Sequence, residues 1–106
     1  MDEVRIVGKA SRKARQGDLF FRKVSSLPTG AQEINDNVLA RGEVTGHSHR
    51  ILGAKVFRAG SQLLVQVEKE AQVVHEEHAA FVLVSGIYVV TRQHEYFPDT
   101  TRLVSD

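Results

Sequence analysis

The sequence predicts a small all-β domain, built as a barrel or a sandwich, with at most one short helix. Two observations support this fold class. Apolar and polar side chains alternate with period two over most of the chain, as in strands that bury one face. Segments rich in β-branched and aromatic residues are also short and separated by turn formers, which is typical of sandwiches and jelly-roll barrels. A chain of 106 residues has room for one core, so a single domain over residues 1–106 is expected.

Each predicted strand is bounded by a turn signal. Residues 25–30 (SSLPTG) follow the first strand, and the Asn and Asp residues at 35–37 introduce the second. Residues 59–61 (AGS) form a connection of hairpin length, and residues 84–86 (VSG) separate the last two strands. The predicted strands are 18–24, 38–44, 51–58, 63–68, 81–83 and 87–96.

Residues 68–80 allow two interpretations. The segment contains many good helix formers, and a short helix would place His75 and His78 on one face. A strand running to about Val74, followed by a turn that carries the histidines, is favoured because the alternation of the preceding segment continues up to this point. Both conformations bring the two imidazoles close together.

The alternation also predicts the core and an oligomeric state. Apolar runs at 81–84 and 87–90 indicate strands that are buried on both faces, and a chain of this size offers little cover for them. A homodimer is therefore expected. The predicted core residues are Leu19, Phe21, Val38, Val44, Val56, Leu63, Val65, Phe81, Leu83 and Val89.

The composition narrows the choice of partners. Lys and Arg (14) nearly balance Asp and Glu (13), and the formal charge of +1 weighs against a nucleic-acid partner. Residues 1–16 are rich in Lys and Arg and are expected to form a basic terminal arm or strand. No apolar run approaches the roughly 18 residues of a membrane span, and the N-terminus lacks the order of a secretory signal. The expected location is the cytoplasm, and no pattern identifies a small-molecule ligand.

The chemistry of the chain is concentrated in two histidine pairs. On a strand His47 and His49 would share one face, and Gly46 before them permits a bend that would aim them inward. His75 and His78 form the second pair. Because the chain has no cysteine, a metal would be held by nitrogen and oxygen donors, which suit Zn²⁺, Fe²⁺ or Ni²⁺. The four histidines are therefore the predicted ligands of a divalent transition metal.

The details of this predicted site stay open at the level of sequence. Four imidazoles would make a closed site, whereas three imidazoles and a water would leave a position for catalysis. Glu76 and Glu77 are candidate ligands, partners that orient a ring N–H, proton acceptors or solvated surface carboxylates. No nucleophile or phosphate-binding loop accompanies the histidines, so no reaction is identified. The alternative function is a non-enzymatic interaction or structural module, in which the histidines are unrelated surface residues.

The last predicted strand offers one further polar surface. Tyr88, Arg92, His94 and Tyr96 share a face of this strand, and Gln93 lies on the other face. Such an array lines a polar pocket or forms the outer face of a sheet edge, and the sequence supports both interpretations.

The order of these motifs resembles a family of small, functionally uncharacterised bacterial proteins. The family pattern is GEVTGHxH, HxEH and GxYxVxRQxEY, and the likeness covers about residues 16–106. The family often has Arg where this chain has His94, so the resemblance implies no shared role for His94, and it implies no activity. The segments that carry it are 16–18 (QGD), 42–50 (GEVTGHSHR), 75–78 (HEEH), 86–90 (GIYVV) and 92–96 (RQHEY).

A weaker resemblance is to the cupins, whose fold is a jelly-roll barrel. His47 and His49 match the His-x-His of the first cupin motif, but residues 50–55 (RILGAK) lack the Glu that follows it in cupins. The resemblance thus implies an incomplete ligand set, which His75 or His78 would complete.

Overall fold

The computed structural model describes the backbone of residues 6–42, 46–93, 95–97 and 100–102. All regular secondary structure within these ranges is β-strand, which confirms the predicted all-β class. No helix there is long and apolar enough to cross a membrane. In chain order the strands are β1 (Ile6–Ala10), β2 (Lys13–Gln16), β3 (Leu19–Val24), β4 (Gln32–Ile34), β5 (Val38–Arg41), β6 (Ser48–Leu52), β7 (Lys55–Ala59), β8 (Gln62–Val74), β9 (Ala80–Arg92), β10 (Glu95–Phe97) and β11 (Thr100–Arg102).

Nine of the strands form one curled sheet, and β10 pairs with β11 in a separate two-stranded sheet. The main path of the large sheet runs β2-β3-β9-β8-β6-β5. Strand β8 pairs with β6 along its last residues and with β7 along its first residues, and β7 pairs in turn with β4. Strand β1 pairs in parallel with the start of β9. The two thirteen-residue strands β8 and β9 form the central antiparallel hairpin. The other strands of the large sheet pair with this hairpin directly or through one neighbouring strand.

The core lies on the concave side of the sheet and agrees with most of the predicted positions. Leu19, Phe21, Val56, Val65, Phe81, Leu83 and Val89 are buried. Val38 and Leu63 are half-buried, and Val44 lies outside the described residues. Leu39 is buried where Val38 was expected, because the pairing of β5 with β6 is irregular between Val38 and Ala40 and exchanges the two faces of the strand.

Two differences from the predicted strands lie at glycines. The predicted strand 51–58 is split into β6 and β7 at Gly53, which has a φ of 90° and passes the β8 backbone so closely that a Cβ would lie 3.1 Å from the Glu70 carbonyl oxygen. The predicted break at 84–86 is wrong, because β9 continues through Gly86. An irregularity in β8 between Val67 and Glu70 keeps the two long strands paired past this point.

The favoured interpretation of residues 68–80 is confirmed. Strand β8 ends at Val74, and residues 75–79 form a bend that connects it to β9 at Ala80. No helix forms in this segment. The tip of the central hairpin therefore carries His75 and His78 at the end of the sheet where β6 begins.

Candidate functional site

The pairing of β6 with β8 determines which residues of the two histidine pairs meet. The strands are antiparallel, and Arg50 lies opposite Val74 in the last registered pair. Each further step along β6 toward its start corresponds to one step past the end of β8. This register places His49 opposite His75, and the ring centroids of these two histidines are indeed 4.3 Å apart.

Two more contacts follow the same register beyond the end of the ladder. The Ser48 backbone N–H donates a hydrogen bond of 2.7 Å to the Glu76 carboxylate, and this bond holds the pKa of Glu76 below its usual value. One step further, His47 Nδ1 lies 2.6 Å from a carboxylate oxygen of Glu77. The side chains of the hairpin tip thus replace the backbone hydrogen bonds that the end of β8 no longer supplies.

The four predicted histidines form one cluster of rings. His75 is at its centre, with its centroid 5.7 Å from that of His47 and 4.6 Å from that of His78. The rings of His49 and His78 are parallel within 9°, with centroids 6.0 Å apart. Two segments separated by 25 residues or more in the chain therefore bring the four rings into one cluster.

Apart from Tyr88, the buried side chains with polar groups among the described residues all lie at this site. They are Gln16, Asp18, Ser48 and His49, and each is at most 3% exposed. Burying a polar group costs free energy unless it is hydrogen-bonded, so such groups are rarely kept in an apolar core without a reason. Their grouping around the histidine cluster distinguishes this end of the sheet from the rest of the core.

Gln16 fixes the orientation of His49. The Gln16 side-chain N–H₂ donates hydrogen bonds to the carbonyl oxygens of Val73 (3.1 Å) and Ala79 (3.0 Å), at the two ends of the histidine-bearing turn. Its Oε1 is therefore turned toward His49 and accepts a 2.8 Å hydrogen bond from Nδ1 of that ring. Since Nδ1 carries the proton, Nε2 of His49 keeps its lone pair. Nε2 is therefore the atom of this ring that can bind a metal.

A tight turn between β2 and β3 delivers Gln16 and Asp18 to the site. Gln16 and Leu19 are the last pair of this hairpin, and residues 17–18 form its two-residue loop. Gly17 has a φ of 60° at the first loop position, where turns of type II′ require glycine. The tightness of the turn brings both polar side chains to His49, 31 residues or more away in the chain.

Asp18 is a buried carboxylate with one oxygen hydrogen-bonded to Arg92 and the other directed at His49. Its Oδ2 accepts a 2.8 Å hydrogen bond from Nε of Arg92, in the last residue of β9. Its Oδ1 lies 3.7 Å from Nε2 of His49, and within the described part of the chain neither atom has a hydrogen-bond partner. A gap of 3.7 Å is too long for a hydrogen bond but close to the separation of about 3.4 Å between two ligands of one tetrahedral ion.

Burial keeps His49 neutral. The side chain is fully buried, and this burial, together with the neighbouring His75, lowers the pKa of His49 from 6.5 to about 4, although Asp18 acts in the opposite direction. At neutral pH the ring is therefore uncharged. A neutral imidazole with its free nitrogen directed at a carboxylate is the form that coordinates metal.

His75 is held differently from His49. Its Nδ1 accepts hydrogen bonds from the backbone N–H groups of Glu77 (3.0 Å) and His78 (3.3 Å), so the proton of the neutral ring is on Nε2. Coordination by His75 would require the turn to release Nδ1 or the ring to change its tautomer. The hairpin tip is therefore the adjustable half of the cluster, and His49 is the fixed half.

A second set of candidate ligands lies at the more exposed side of the cluster. One ligand atom from each of His47, His75 and Glu76 lies within 4.8 Å of the other two. Two imidazoles and a carboxylate are a donor set used for zinc and for iron(II). Glu76 and Asp18 were not among the four predicted ligands, although Glu76 was considered as one.

A comparison with protein families identifies the family of the chain. Residues 15–93 match the family model described as a domain of unknown function, DUF8820. The chain belongs to the DUF8820 family. No curated protein and no solved structure matches the chain. The match agrees with the predicted resemblance to an uncharacterised family, whereas the specific motif order and the cupin resemblance stay predictions.

The DUF8820 match begins at Arg15 and so includes the residues around the histidines that the sequence did not reveal. Gln16 and Asp18 had only one signal, the QGD segment that helped to define the resemblance. Tyr88, predicted to share a polar face with Arg92, is instead fully buried and donates its hydroxyl to the Val84 carbonyl oxygen. The side chains of His94 and Tyr96 lie outside the described residues.

Proposed function

We propose that this DUF8820 domain binds one divalent first-row transition metal ion, Zn²⁺, Fe²⁺ or Ni²⁺, in the histidine cluster. The proposed ligands are His47, His49, His75 and His78, and Asp18 is an additional oxygen donor beside His49. The observation that carries the proposal is the arrangement of His49. It is fully buried, its Nδ1 proton is fixed by Gln16, and its Nε2 is 3.7 Å from a carboxylate oxygen with no other use.

The residues around the cluster orient the proposed ligands and supply negative charge, and both properties favour metal binding. Gln16 holds the ring of His49 in one tautomer, and Arg92 holds the carboxylate of Asp18. Glu77 and Glu76 place negative charge at the rim, which favours a cation. No described residue suggests a nucleophile, so the proposal is limited to metal binding. The homodimer and the cytoplasmic location stay predictions.

The proposal is tested first on protein purified without a histidine tag. We expect about one transition metal ion per chain by elemental analysis, and one saturable site when chelator-treated protein is titrated with Zn²⁺ in competition with a chromophoric chelator. Metal content near zero, together with no binding in the titration, would contradict the proposal and would favour the alternative of an interaction module.

Replacing Gln16 by Leu tests whether the fixed tautomer matters. We expect the affinity for Zn²⁺ to fall about 10- to 100-fold, the usual effect of removing a residue that orients a ligand. The matched control is Gln72→Leu, because Gln72 is a half-buried glutamine of β8 that has no hydrogen bond to the site. Equal affinities for Q16L and Q72L would mean that Gln16 only supports the fold.

A further inference from the structure

A second feature of the molecule is a strongly basic surface on the β2–β3 hairpin. Five cations of this hairpin are exposed, and Lys13 lies opposite Arg22 in the pairing of the two strands. The Lys23 N–H donates to the Arg12 carbonyl oxygen, which continues the hairpin by one more step. We call this surface the basic hairpin face. Strand alternation puts Lys13, Arg15 and Arg22 on one side of the hairpin, and its other two cations, Arg12 and Lys23, lie at the open end and line a hollow with Lys13 and Arg22.

No acid that the structure describes neutralises the cations of the basic hairpin face. The single acid of segment 12–23 is Asp18, which is buried and bound to Arg92. Among the described side chains none of the five cations has a carboxylate within ion-pair distance, whereas Lys9 on β1 is paired with Glu70 at 2.6 Å. The net charge of +1 hides this segregation, because the other twelve acids lie elsewhere in the chain.

An aromatic ring lies among these cations. Phe20 is half-buried and pairs with Arg15, whose guanidinium carbon is 5.2 Å from the ring centroid. A hollow of about 710 Å³ opens beside the ring, and Thr91 and Gln93 of the neighbouring strand end complete its wall. A second hollow of about 480 Å³ adjoins it and is lined by Lys13 and Arg22 together with the two remaining cations.

We propose that the basic hairpin face binds single-stranded nucleic acid. Phosphates are the polyanion that a group of exposed cations with no described acid beside them complements, and a base can stack on Phe20 or on the plane of Arg15. A duplex would keep its base faces hidden from the ring, so a single strand is the form that can use both the cations and Phe20. The sequence weighed against this partner because net charge alone does not show how charges are distributed.

The test uses chelator-treated wild-type protein, so that the result does not depend on metal. Fluorescein-labelled oligouridylate and oligothymidylate of about 12 nucleotides are titrated by fluorescence anisotropy between about 50 and 200 mM salt. We expect log Kd to rise linearly with log salt, with a slope of about 0.7 for each phosphate contacted. The pair of oligonucleotides shows whether RNA or DNA is preferred.

Two variants separate the phosphate contacts from stacking. Lys13→Ser with Arg22→Ser is expected to weaken binding about tenfold or more at low salt and to lower the slope by about 1.4, because two phosphate contacts are lost. Phe20→Leu keeps an apolar side chain at this position. It is expected to weaken binding about tenfold with the slope unchanged, because stacking involves no counterions. Arg58→Ser removes an exposed cation of β7 and should change neither quantity.

Three outcomes would overturn the proposal. The first is no salt-dependent binding of either oligonucleotide by the wild type. The second is an equal loss of affinity in R58S and in the double variant, which would indicate attraction by the overall field. The third is binding of phosphatidylserine vesicles, but not of oligonucleotides, that is lost in the double variant. Thermal unfolding of each variant confirms that the fold is intact.

Discussion

Replacing His47 and His49 together by Ala will abolish metal retention by the untagged protein. The expected change is from about one ion per chain to none, and from a saturable Zn²⁺ titration to nonspecific binding. The reason is geometric, since the two remaining histidines of the cluster both lie on the hairpin tip and Nδ1 of His75 is already engaged by two backbone N–H groups. The hairpin tip would then have to hold the ion without His49, the imidazole whose position is fixed.

The fully buried position of His49 requires a second variant that preserves packing. In His49→Asn the side-chain N–H₂ can donate to Gln16 as Nδ1 does in the native ring, but the atom equivalent to Nε2 is absent. We expect this variant to fold and to lose the metal. His94→Ala is the matched control, because the family resemblance implies no role for His94. Equal metal content in wild type, H49N and the double Ala variant would exclude His47 and His49 as ligands.

Local patterns were sufficient to predict the part of the site that lies within single segments. The alternation that ends at Val74 predicted the end of β8, and the turn that follows carries His75 and His78 as expected. His47 and His49 were grouped by their spacing alone. That the two pairs meet depends on the pairing of β6 with β8, a long-range register to which Gly53 contributes by separating β6 from β7.

The residues that prepare His49 could not be predicted in this way. Gln16 acts through three hydrogen bonds to β6, β8 and the turn before β9, at separations of 33 to 63 residues, and such contacts have no period that a sequence can show. Asp18 looked like the start of a strand. Its burial follows from the two-residue loop between β2 and β3 and from its bond to Arg92, 74 residues away.

The burial of His49 also predicts how the metal-free protein responds to acid. In the unfolded chain His49 takes up a proton near pH 6.5, whereas burial lowers the pKa of the folded side chain to about 4. The unfolded state therefore binds more protons between these values. The stability that His49 contributes is present in full above about pH 6.5 and is lost progressively as the pH falls to about 4, by a total of about 3 kcal/mol.

The measurement is urea unfolding of chelator-treated protein at several pH values from 7.5 down to about 4. His49→Asn cannot take up this proton, so its free energy of unfolding should fall by about 3 kcal/mol less than that of the wild type over the same range. His94→Ala should follow the wild type. Parallel curves for wild type and H49N would mean that the ring is protonated in the folded state near its ordinary pKa. Burial would then not be the cause of the neutral form of His49 at physiological pH, and only Gln16 would prepare the ring for a metal.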